Sequence, residues 1–99
     1  MDNQNQKQYY IVRGDRSGLY TGNIESQNGK EVVMTNVRNI WHWNGACGVM
    51  QLALDGPDAG RETRITVELP EITVLDAVAI YPCSAEAEKI FREAKPWRR

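Results

Sequence analysis

The sequence predicts a mainly β (α+β) domain: a small antiparallel sheet or barrel of five to six strands, with a short internal helix and a short C-terminal helix. Three observations carry that reading. β-branched and aromatic runs such as YYIV, KEVVMTNV and RITVELP recur with turn residues between them. Asn28-Gly29 sits between two such runs, and a type I′ hairpin turn needs positive φ at both of its central residues. Ser84 is followed by an acid-first, apolar-periodic stretch that Pro96 stops, the pattern of a short capped helix.

Taken in order, residues 1–7 are polar and aperiodic and read as a flexible N-terminal tail. A single β-rich domain spans residues 8–95, and residues 96–99 form a C-terminal tail. The first strand, from Gln8 through YYIVR, stops at the tight turn Gly14-Asp15-Arg16-Ser17-Gly18. In the second strand, residues 19–26, Gly22 marks a bulge or a close backbone approach. The return strand runs from Lys30 towards Trp43. Strict alternation puts Val33, Val37, Trp41 and Trp43 on one face, with Thr35 and Asn39 interrupting it and a bend near residues 36–39. Val49, Leu52 and Ala53 have helical spacing. Residues 64–70 read as a half-buried strand stopped by Pro70. Residues 71–83 read as a longer strand in which Asp76 needs either a partner or a bulge.

Bulk composition narrows the function. The 99 residues make one domain with a net charge of −1, so no global basic field attracts a nucleic-acid polymer. No apolar run reaches the roughly 20 residues of a membrane span, and no signal-peptide pattern opens the chain. The expected compartment is the cytoplasm, where the two cysteines, Cys47 and Cys83, are expected as free thiols. One histidine and two distant cysteines give no metal-ligand spacing. Cys47 or Ser17 with His42 provides no ordered nucleophile, base and orienter. Neither an enzyme nor a cofactor is expected.

Two constellations remain. In residues 14–18, the turn amides, Arg16 and the Ser17 hydroxyl can hold phosphate oxygens, although the same residues also make an ordinary hairpin turn. In NVRNIWHWNGACG, residues 36–48, Arg38, Trp41, Trp43 and Asn44 combine a planar cation with stacking surfaces. Two tryptophans on one strand face are more often a core wall, with His42 pointing the other way.

The order of these pieces resembles a family of small phage and prophage proteins. They are Ser17-Gly18, Gly22, Lys30-Glu31-Val32, Arg38-Asn39-Ile40-Trp41-His42-Trp43-Asn44-Gly45-Ala46, and a closing strand from Asp76-Ala77 to Pro82-Cys83. The pattern is similar to viral sponge proteins that sequester the cyclic dinucleotides of bacterial CBASS immunity. The resemblance implies a non-enzymatic homo-oligomer in the host cytoplasm that binds a cyclic dinucleotide. Arg13, Arg16 and Arg38 would serve phosphate, Ser17 and the turn amides up to Gly18 its oxygens, and Trp41 or Trp43 would stack on a base, with Asn44 also among the ligand-binding residues. A protein-interaction inhibitor or structural phage protein using the same Trp/Arg surface is the alternative.

Overall fold

The computed structural model describes residues 8–43, 45–46, 48–58 and 63–97. The expected tail at residues 1–7, Asn44 and Cys47 lie outside the described residues. The chain runs β1 (Tyr9–Gly14), β2 (Leu19–Asn28), β3 (Glu31–His42), α1 (Gly48–Asp55), β4 (Arg64–Ile65), β5 (Leu69–Val74), β6 (Ala77–Pro82), α2 (Ala85–Glu93). The six strands form one antiparallel sheet that does not close into a barrel. Its path is β4-β3-β2-β1-β6, and β5 pairs with the first half of β3.

The continuous apolar run in β1 is explained by burial on both faces. Tyr9 and Ile11 pack with Leu52, Ala87 and Phe91 in a core under the helices. Val12, on the opposite face, packs with Val32, Met34 and Val74. Helix α2 is capped as expected: Ser84 Oγ accepts from the Ala87 amide at 3.0 Å. It buries Ala87 and Phe91, four residues apart on one face.

The bend in β3 is a bulge at Asn36, whose φ is +53°. Gly22 lies against it. A Cβ there would stand 2.8 Å from the Thr35 carbonyl oxygen and 2.9 Å from that of Asn36, so only glycine allows the approach. The extra residue reverses the facing of everything downstream. Val32, Met34 and then Val37 share one core, whereas Ile40 joins the core under the helices. The register shifts again between Ile40 and His42. The expected face of Val33, Val37, Trp41 and Trp43 therefore does not form.

Two further boundaries differ from the sequence expectation. The segment 64–70 is not one strand, because β4 ends at Ile65 and β5 begins at Leu69. Thr66 turns back to β3 instead, its amide donating to Asn39 O and its hydroxyl accepting from the Asn39 amide. Pro70 sits inside β5, tolerated because β5 is an edge strand paired only with β3. The chain also breaks at Leu75-Asp76, so that β5 and β6 pair with different partners, β3 and β1. Trp97, expected in a free tail, is fastened to the domain by its amide donating to Ile65 O at 2.9 Å.

Candidate ligand cleft

Asp76 has a partner, and that partner is the first turn. Its carboxylate accepts from the amides of Arg16 at 2.8 Å and Ser17 at 3.0 Å and from the Ser17 hydroxyl at 2.6 Å. Its carbonyl accepts from the Asp15 amide at 2.8 Å, and the Gly14 amide closes the turn onto Gly18 O. Gly14 has no space for a side chain: a Cβ would lie 2.1 Å from Ser17 Oγ. This arrangement corrects the reading of Ser17. The hydroxyl and amides expected to hold phosphate oxygens already satisfy an aspartate sixty residues away in sequence.

The Ser17 hydroxyl first, and then the Arg16 amide, hold the Asp76 carboxyl below its ordinary range. A carboxyl depressed in the folded state stabilises above the unfolded value, near 3.8, and loses that contribution as pH falls through its folded value. Asp76→Asn is therefore expected to melt below the wild type at neutral pH, with the gap narrowing on acidification below about pH 4. Melting curves across that range check it, and a gap independent of pH would contradict the assignment.

With the turn fixed, Arg13, Asp15, Arg16 and Gly18 line one wall of a cleft of about 480 Å³. Trp43 and the first two residues of α1, Gly48 and Val49, form the facing side. Trp43 is half-buried, packed against the core under the helices, with Nε1 donating to Ala46 O at 3.4 Å. Two arginines and one aspartate are among the cleft's lining residues. The first turn of α1 carries no acid, so the helix dipole adds positive potential there. The arrangement suits an anion bearing a flat ring.

Arg38 does not belong to this site. It is 3% exposed. Its Nε donates to Thr66 O at 2.8 Å and its Nη1 to Phe91 O, while Nη2 is buried without a partner among the described residues. Burial pulls the guanidinium below its ordinary value. The bulge at Asn36 sends this side chain under α2 and away from the cleft. Trp41 is also separated from Trp43. It lies 57% exposed and stacks on Trp97. The structure therefore brings Arg13, Arg16, Gly18 and Trp43 together, uses Ser17 and Arg38 for the fold, and sets Trp41 apart. The cleft's Gly48 and Val49 carried no signal in the sequence beyond helical spacing.

Cys83 is a buried free thiol, and burial pushes its pKa up to about 12. It is expected to resist iodoacetamide at about pH 8 in the native protein and to react fully in denaturant. Peptide mass mapping checks this, and rapid native alkylation would contradict it.

Fold and cleft together describe a β-rich domain with an open cleft lined by arginine and tryptophan. Among the described residues no cluster of histidine, cysteine and acidic side chains could hold a metal, and no helix is long and apolar enough to cross a membrane. The chain belongs to the family described as Domain of unknown function (DUF6948), which matches residues 7–91 and so includes every residue of the cleft. No curated protein and no solved structure matches it.

Proposed function

We propose that this protein binds a cyclic dinucleotide and sequesters it without turning it over. The observation that carries the reading is the convergence of Arg13, Arg16 and Trp43, from β1, the first turn and the residue just after β3, on one cleft. A cyclic dinucleotide presents two phosphates and two bases. Guanidinium groups pair with phosphate oxygens through charge-assisted hydrogen bonds, and an indole stacks on a base. The cleft volume of about 480 Å³ lies within the roughly 300–1,000 Å³ of small-molecule sites. A net charge of −1 is compatible, because a compact dianion needs only a local positive pocket.

The phage origin, the host cytoplasm and the CBASS messenger belong to the same proposal and rest on the sequence resemblance. So does the homo-oligomer. The exposed Met50 and Leu54, four residues apart on α1, give it an apolar ridge next to the cleft. The same ridge favours the second reading, an interaction module without nucleotide binding, which predicts co-purification with a protein partner.

Isothermal titration with cyclic di- and trinucleotides tests the proposal. Saturable binding of at least one, with the ligand returned intact after heat denaturation, is expected. Absence of binding at tens of micromolar, or recovery of a hydrolysed product, would overturn it.

A further inference from the structure

A second cluster lies apart from the cleft. The indoles of Trp41 and Trp97 stack with centroids 5.0 Å apart and planes 24° from parallel. The Arg64 guanidinium carbon lies 5.2 Å from the Trp41 centroid and 4.9 Å from that of Trp97. Three chain segments build this group. Arg64 is opposite His42 in the β3–β4 pairing, and the backbone of Trp97 is tied to Ile65. Trp97 lies beyond the residues that the family matches.

Two features point beyond packing. Trp41 is 57% exposed and Trp97 37%, leaving indole surface open to water. The Arg64 side chain makes no hydrogen bond or ion pair among the described residues, and its Nε is buried without a partner. A guanidinium held against rings keeps its remaining donors in a fixed fork, the arrangement that recognises phosphate or carboxylate. Trp41, His42 and Arg64 line a hollow of about 230 Å³.

We propose that this hollow is a second ligand site, for a single nucleotide unit: a planar heteroaromatic ring bearing a phosphate. The ring stacks on the open face of Trp41. The phosphate meets Arg64, with His42 beside it as a further donor. The hollow offers one indole face and one guanidinium, which matches one ring and its phosphate. The chain's charge of −1 supplies no attraction for a polymer. The inference is independent of the cleft and of its proposed ligand.

The three tryptophans separate the two sites, since Trp43 reports on the cleft and Trp41 and Trp97 on the stack. The ¹⁵N-labelled full chain is titrated with AMP, GMP, adenosine and inorganic phosphate while the indole N–H resonances are followed. A nucleotide is expected to shift Trp41 and Trp97 to saturation, with adenosine and phosphate each at least roughly tenfold weaker. Arg64→Gln is expected to weaken nucleotide binding about tenfold or more, and Arg64→Lys less, because it keeps the charge and loses the fork. Amide spectra verify the fold of both variants. The proposal is overturned if neither nucleotide moves Trp41 and Trp97, if only Trp43 responds, if adenosine or phosphate binds as well as the nucleotides, or if folded Arg64→Gln binds like the wild type.

Discussion

Arg38→Ala is expected to destabilise the domain by about 2–4 kcal/mol, lowering the melting temperature by roughly 10–25 °C. The side chain joins three parts of the fold. It leaves β3, binds the Thr66 carbonyl between β4 and β5, and reaches the Phe91 carbonyl in the last turn of α2. That turn is the negative end of the helix dipole, where a cation is favoured. Truncation leaves two acceptors without their donor and opens a cavity under the helix. Relief of the buried charge offsets part of the loss, which is why the estimate stays below the sum of two charged hydrogen bonds and a cavity. Arg38→Lys should recover only part of the stability, since one ammonium replaces a fork that spans two carbonyls. A melting temperature within about 3 °C of the wild type for Arg38→Ala would contradict this role.

The second large effect separates binding from folding. On the proposed function, the double variant Arg13→Ala/Arg16→Ala weakens the cyclic dinucleotide by about two orders of magnitude or more, at roughly 1.5–3 kcal/mol for each charged contact. Both side chains are exposed and stand clear of the cores, so the melting temperature should change little. The Asp76 clamp uses the backbone of Arg16 and leaves its side chain free for the cleft. Calorimetric titration beside a melting curve gives both readouts. A double variant that is fully folded and binds as the wild type does would remove the arginines from the site.

Strand content, a hairpin at this point of the chain, the Ser84 cap and the glycine approach at Gly22 were legible because each depends on a local rule. The turn type was not: Asn28 pairs with Glu31 as the last residue of β2, and positive φ falls on Gly29 alone, so the turn is centred on Gly29-Lys30 and the type I′ turn expected at Asn28-Gly29 does not form. The site was legible in part through such local rules. The turn at residues 14–18 and Trp43 were found as separate pieces, and the fold brings them together. What failed was parity. One extra residue at Asn36 reverses which side of β3 meets the helices, so alternation gave Arg38 to the surface and paired Trp41 with Trp43. Nothing local in TNVR states that the bulge falls there. Asp76 shows a second limit: its need for a partner was readable, but that Ser17 meets it depends on where β6 lies beside β1. Arg64 and Trp97 were missed because their meeting depends on the C-terminal segment fastening to β4, a contact without a sequence pattern.

On the proposed function, a cyclic dinucleotide occupies the cleft and leaves it chemically unchanged. The most direct measurement follows the Trp43 indole and the Gly48 amide of ¹⁵N-labelled protein during titration with a cyclic dinucleotide panel, then identifies the ligand recovered after heat denaturation. At least one member is expected to shift both resonances to saturation and to be recovered intact. A panel that leaves both resonances in place, or a ligand recovered cleaved, would contradict it.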